Sequence, residues 1–132
     1  MKSEIRIHIR MEHDITPALM RAGEYCREAG FDEAGWRMVS TVVSELAHNI
    51  VKYAHYGSIR LKTIRKTTRR GVEVIAADSG PGIADVDRAM RDRFSSSGTL
   101  GLGLPGIKRM MDDFEIQSTP GEGTRVLARK WI

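Results

Sequence analysis

Glu45 and Asn49 stand four residues apart in a stretch of helical periodicity. That spacing sets both side chains on one helix face, one turn or about 6 Å apart. Asn49 is the sole asparagine of the chain. An amide oxygen is a hard, neutral ligand suited to Mg²⁺, which keeps several waters and shares phosphate oxygens. A carboxylate one turn away can accept a proton or orient a nucleophile beside such a metal. Lys52, on the next turn, can meet phosphate as a point charge. On spacing alone, however, the pair reads first as the polar stripe of an amphipathic helix. Asp78 ends an apolar run and enters the glycine turn Ser79-Gly80-Pro81-Gly82. An ionised carboxylate offers only acceptors, the complement of an amino group such as that of adenine. Alone, it reads first as a turn-capping aspartate.

Eight of the 13 glycines lie between Gly80 and Gly123, in three clusters: Gly80/Gly82, Gly98/Gly101/Gly103/Gly106 and Gly121/Gly123. Dense glycine lets backbone amides come close to a ligand. Gly121 and Gly123 read as ordinary hairpin-turn residues, whereas four glycines in nine residues exceed what a turn needs. The run Gly101-Leu102-Gly103-Leu104-Pro105-Gly106 is a literal G-x-G-x-x-G, but Ser95-Ser96-Ser97-Gly98-Thr99 precedes it where a dinucleotide fold requires a buried strand. No G-x-x-x-x-G-K-[ST] occurs, which excludes a Walker-type phosphate loop.

The elements that must hold these residues follow from periodicity. Ile5, Ile7 and Ile9 alternate with polar residues and predict a half-buried strand over 4–10. Thr16-Pro17 predicts the start of a helix carrying Ile15, Leu19, Ala22, Cys26 and Ala29 inward and stopping at Gly30. Asp32 is placed to cap a longer helix, reaching about Ala54, with Trp36, Val39, Val43, Leu46, Ile50 and Tyr53 as one buried stripe. Strands are predicted over 58–64 and 72–77, a short helix over 85–91, and a helix near Pro105 with Ile107, Met110, Met111 and Phe114 as its apolar face. A terminal hairpin over 115–119 and 124–132 closes the chain. This order predicts an α+β two-layer sandwich, a mixed sheet with helices on one face.

A chain of 132 residues has room for one domain spanning 1–132. With 41% hydrophobic and 29% charged residues it has globular, not disordered, composition. A single cysteine, Cys26, excludes an internal disulfide and a Cys-based zinc site. No apolar run reaches the ~18 residues of a membrane span, and no signal-type stretch follows Met1. A cytoplasmic protein with no membrane partner is expected. The net charge of +4 is unevenly placed. Residues 57–72 carry Arg60, Lys62, Arg65, Lys66, Arg69 and Arg70 without an acid, a local +6, so the remainder sums to −2. That concentration argues against a general nucleic-acid binder. It reads as a solvated hairpin edge protected by charge or as a docking surface for an acidic partner.

Four stretches, taken in order, resemble the N, G1, G2 and terminal G-T boxes of the GHKL (Bergerat) ATP-binding superfamily, which includes gyrase B, Hsp90, histidine kinases and MutL. They are Glu45-x-x-x-Asn49-x-x-Lys52-Tyr53-Ala54, Asp78-Ser79-Gly80-Pro81-Gly82-Ile83, Gly98-Thr99-Leu100-Gly101-Leu102-Gly103-Leu104, and Gly121-Glu122-Gly123-Thr124. Within that superfamily, the stretch from Ser95 to Phe114 looks like the small serine/threonine kinases of bacterial stressosomes.

The resemblance implies an α/β sandwich binding ATP beneath a glycine-rich lid. Asn49 would hold Mg²⁺ and Asp78 would accept from adenine N6. Gly80 and Gly82 would let the chain pass the base, and Lys52, Gly98, Thr99, Gly101, Leu102 and Gly103 would lie along the phosphates. Thr124 would support the Asp78 contact. Glu45 would be the general base or would orient the acceptor hydroxyl. Arg91 and Arg93 fall in the lid, and Ser95–Ser97 read as filler. The implied activity is ATP- and Mg²⁺-dependent phosphorylation of a serine or threonine on a small STAS-domain partner, with activation of a PP2C-type phosphatase by binding as a second role. An anti-sigma factor kinase and a catalytically idle ATP-binding interaction module remain alternatives.

Overall fold

The computed structural model describes residues 2–83, 90 and 103–132. The chain opens with strand β1 (Glu4–Ile9), followed by helices α1 (Ile15–Ala29) and α2 (Glu33–Asn49), whose last turn widens into a π-helical turn over Ile50–Ala54. Strands β2 (Gly57–Lys66) and β3 (Arg69–Asp78), helix α3 (Gly103–Met110), and strands β4 (Asp113–Thr119) and β5 (Gly123–Trp131) complete it. The helix predicted over 85–91, apart from Met90, together with Arg93, Ser95–Ser97, Gly98, Thr99, Gly101 and Leu102, lies outside the described residues.

The five strands form one sheet in the order β1-β2-β3-β5-β4. The α+β layering matches expectation, but the sheet does not. Each of its pairings is antiparallel, where a mixed sheet was expected. Because β4 and β5 form a hairpin that docks through β5 on β3, no parallel neighbour is needed.

Alternation puts one face of the sheet under the helices. Ile7, Ile9, Ile59, Leu61, Val72, Val74, Ala76, Val126 and Ala128 are buried there against Ala22, Cys26, Val39, Val43 and Leu46 of the helices. Burying a side chain of the Val/Leu/Ile class is worth about 1.5–3 kcal/mol each, so this seam is the main stabilising term. The other face carries charge. In register across all five strands run Glu4, Lys62, Glu73, Arg129 and Asp113, alternating in sign. Within that row Arg129 Nε donates to Glu73 Oε2 at 2.8 Å. Ile75 and Leu127 are buried on this face too, with Arg60 and Glu115 opposite them in register.

The helix ends depart from expectation in instructive ways. Asp32 caps α2 as predicted, its Oδ1 accepting from Gly35 N at 2.8 Å. Helix α1 starts at Ile15, before Thr16, and Asp14 makes no cap. Its Oδ2 instead accepts from Arg10 N and Met11 N, bracing the turn out of β1. Gly30 ends α1 with φ 106°, a left-handed cap.

Tyr53, expected in the buried stripe, is 49% exposed. The π turn spends an extra residue per turn, which rotates everything beyond Ile50 away from the stripe's register. Phe114 does not extend the face of α3. It lies in β4 beside Ile116, half-buried against the core. The basic segment is not an edge either, since β2 and β3 are interior strands and their hairpin tip alone runs past β1.

Candidate functional site

Helix α2 brings Glu45 and Asn49 to the end of the sheet where β3 finishes. The capped start and the broad apolar face of α2, from Val39 to Ile50, fix the rotation of the helix on the sheet. That rotation does not leave Glu45 on a solvated stripe. Glu45 is 1% exposed and its carboxylate is not without a partner. Asn49 is half-buried one turn on, its side chain capping nothing. A carboxylate buried this completely costs folding free energy unless its surroundings are built for it, so the polar-stripe reading does not survive. Lys52 is exposed, its Nζ 5.7 Å from the Tyr53 ring centroid.

The π turn then carries the chain over the start of the Asp78 loop. His55 closes that turn in the left-handed region, φ 67°, its N–H bonding to Ile50 O at 2.8 Å. Ala54 is thereby pressed onto Gly80. A Cβ built on Gly80 would stand 2.7 Å from the Ala54 Cβ, so no side chain fits there without moving one of the two segments.

Asp78 itself is pinned through one oxygen. Its Oδ1 accepts from Gly80 N at 2.9 Å and from Thr124 N at 3.3 Å. Among the described residues its Oδ2 takes no hydrogen bond and is left to face a donor. The loop beyond it is tied to the β4–β5 hairpin. Ile83 N donates to Ser118 Oγ at 2.7 Å, and that hydroxyl lies 2.7 Å from Thr124 Oγ1 and donates to Gly123 O at 3.2 Å. Gly121 N donates to Pro81 O at 2.7 Å. Gly82 (φ 78°) sits against the Thr119 carbonyl. Helix α3 begins at Gly103, itself at φ 55°, and its first-turn amides make that end a favourable place for anionic oxygens.

Three contributors escaped sequence reasoning. Ser118 carried no signal beyond being a polar residue on an inward-facing strand position. Gly123 read as a turn glycine, yet with φ 128° it lies directly against the Asp78 carbonyl, where any Cβ would collide. Ala54 was part of a motif without a role. Gly121 has nothing near its missing side chain and remains a turn residue.

The donor set fits an adenine nucleotide with a phosphate-borne cation. Oδ2 of Asp78 suits an exocyclic amine, and the start of α3 suits phosphate. Among the described residues no group of three or more His, Cys, Asp or Glu side chains could cage a metal. Asn49 offers one amide oxygen, which suits a cation that shares phosphate oxygens and keeps its waters, as Mg²⁺ does.

Residues 10–130 match the family model of the histidine kinase-like ATPase domain. The chain belongs to the histidine kinase-like ATPase family. Within the family, it is 41% identical to the serine/threonine-protein kinase RsbT of Bacillus subtilis (strain 168) over 132 residues, 100% of this chain and 99% of the relative. An anti-sigma F factor of Caldanaerobacter subterraneus subsp. tengcongensis is 36% identical over 100 residues, 71% of this chain and 68% of the relative. Among solved structures, a mycobacterial sensor histidine kinase, MprB, superposes with a TM-score of 0.56 at 15% identity, covering 99% of this chain and 97% of that one; it speaks for the ATPase-family fold alone. No helix among the described residues is long and apolar enough to cross a membrane.

Proposed function

We propose that this chain is an ATP- and Mg²⁺-dependent serine/threonine-protein kinase of a partner-switching system, acting in the cytoplasm on a small STAS-domain protein and activating a PP2C-type phosphatase by binding. The full-length relation to RsbT supports the kinase assignment, and the relation to anti-sigma F factors supports partner switching.

The observation that carries phosphoryl transfer is Glu45, 1% exposed and one turn before Asn49 on the same face. Phosphoryl transfer asks mainly for positioning and charge stabilisation, which this set of residues is suited to supply. Bound Mg·ATP supplies the transferable phosphoryl group and neutralises part of its charge. Asp78, held by Gly80 N and Thr124 N, orients the base through Oδ2. Asn49 offers its amide oxygen to the cation. Lys52, Gly98, Thr99, Gly101, Leu102 and Gly103 serve the phosphates, Gly80 and Gly82, packed on Ala54 and Thr119, let the loop pass close to the base, and Thr124 steadies Asp78. Glu45 takes the proton from the acceptor hydroxyl, or orients that hydroxyl.

The deciding experiment is transfer of labelled phosphate from ATP to a purified STAS-domain protein, run beside nucleotide calorimetry on the wild type and Asp78→Asn. Label on a partner serine or threonine, with nucleotide affinity lost in Asp78→Asn, is the expected result. Equal nucleotide affinity in the two proteins overturns the site. A stable partner complex that never acquires label overturns the kinase reading in favour of an interaction module.

A further inference from the structure

At the far end of the sheet the β2–β3 hairpin reaches past β1, whose pairing with β2 ends at the Glu4–Lys62 register. There Arg65 lies directly opposite Arg70, and Lys66 directly opposite Arg69. All four are exposed. None forms an ion pair with a carboxylate among the described residues. Like charges facing each other across a ladder destabilise a hairpin, and glutamate at one position of each pair would relieve this without disturbing any buried atom.

The two pairs serve opposite faces. Arg69 stacks over the Trp131 ring, 5.7 Å from its centroid. On the helix side, a Cβ built on Gly30 would lie 3.3 Å from Arg70 Nη2, so this guanidinium sits beside the end of α1. Between hairpin, β1 and α1 lies a groove of about 530 Å³ lined by Lys2, Ser3, Thr63, Arg65, Arg70 and Glu28. It combines three cations, two hydroxyls and one acid.

We infer that this hairpin tip and its groove are a docking surface for an acidic segment of a partner protein. Charge complementarity argues for the occupant. Six cations without an acid occupy residues 57–72, while the rest of the chain sums to −2. A polynucleotide, with evenly spaced charge and long reach, would meet Glu28 in the groove and Asp113 beside Trp131 and then a net acidic body. A short acidic segment needs to cover the tip and groove alone. The distance from the nucleotide end also matters: the ten residues of β3 from Arg69 to Asp78 span about 30 Å. A partner held here leaves the cleft open, so the surface acts as an anchor separate from the transfer site.

The test uses the full chain and two probes, an octaglutamate peptide and a dT12 oligonucleotide, at two salt concentrations. Arg65→Glu/Lys66→Glu turns both repulsive pairs into attractive ones while sparing Arg69 on Trp131 and Arg70 on α1. Arg6→Glu/Arg125→Glu makes the same net change on the exposed outer face of the sheet. The expected result is a wild-type peptide affinity that falls with salt, at least tenfold weaker binding in Arg65→Glu/Lys66→Glu, and less than a twofold change in the control. The tip variant should melt no lower than the wild type, so its loss of binding is not a loss of fold. Equal weakening in both variants, or tighter wild-type binding to dT12 than to the peptide, overturns the proposal. No ATP is present in the assay, so its outcome stands apart from that of the kinase reading.

Discussion

The two ends of strand β3 are built on opposite terms. At the Asp78 end the described loop is tied down by hydrogen bonds: Oδ1 of Asp78 accepts two backbone amides, and Ser118 gathers Ile83, Gly123 and Thr124 around one hydroxyl. At the Arg69 end four cations face one another in pairs with no carboxylate between them. One end uses hydrogen bonds to fix a shape; the other tolerates repulsion to keep a charge. A residue that holds geometry and a residue that offers charge therefore answer to different measurements.

The largest expected effects break the ordered end. Asn49→Ala should abolish Mg-dependent phosphoryl transfer, by 100-fold or more in kcat, and Asp78→Asn should weaken nucleotide binding by at least tenfold in calorimetry. Glu45→Ala should separate binding from chemistry, leaving nucleotide Kd within a few-fold while transfer to the partner falls by about 100-fold, the scale of a lost general base. Ser118→Ala should cost about 1–3 kcal/mol in chemical denaturation, because Ile83 N loses its acceptor, together with a several-fold loss of nucleotide affinity. If stability falls and affinity does not, the clamp around Asp78 is a structural brace alone.

Cys26 provides a reference point in the core between the ends. Burial pushes its thiol up to about 12 from an ordinary 9.0. A raised folded value means that this contribution to stability is complete below pH 9.0 and is lost as pH rises from there toward 12. Alkaline unfolding should therefore be delayed in Cys26→Ser relative to its own neutral-pH stability. Alkylation of the wild type at pH 8 should be undetectable by mass until the chain is denatured. The smallest effect belongs to the repulsive end: Arg65→Glu/Lys66→Glu should raise stability by about 0.5–1 kcal/mol, as two opposed pairs change sign. A drop instead would mean that the paired cations hold the hairpin in place.

Much of this was legible in the residues, and the failures have physical causes. Strand β1, the Asp32 cap and the Gly30 stop could be read because each depends on local chemistry: alternation, an acceptor for free amides, a left-handed residue. Glu45, Asn49 and Asp78 could be picked out as a set through motif order, since spacing alone left each with an ordinary explanation. What the sequence concealed depended on contacts between distant segments. The burial of Glu45 is set by the rotation of α2 on the sheet. The role of Gly123 is decided by a carbonyl 45 residues earlier, and that of Ser118 by the Ile83 amide. The sheet was expected to be mixed from the order of elements alone, whereas every strand pairing is antiparallel. Tyr53 was misplaced because a 3.6-residue period was carried through a turn that does not obey it.

That wide turn over Ile50–Ala54 has one more implication. It lies downstream of Glu45 and Asn49, so their mutual register belongs to regular helix, while the approach of Ala54 to Gly80 belongs to the wider coil. Shortening the segment by one amino acid would leave the acid–amide pair in phase and swing Ala54 off Gly80 by most of a right angle. On the function proposed here, base recognition and phosphoryl transfer can thus drift independently in descendants of this chain, with insertions and deletions here retuning the former alone.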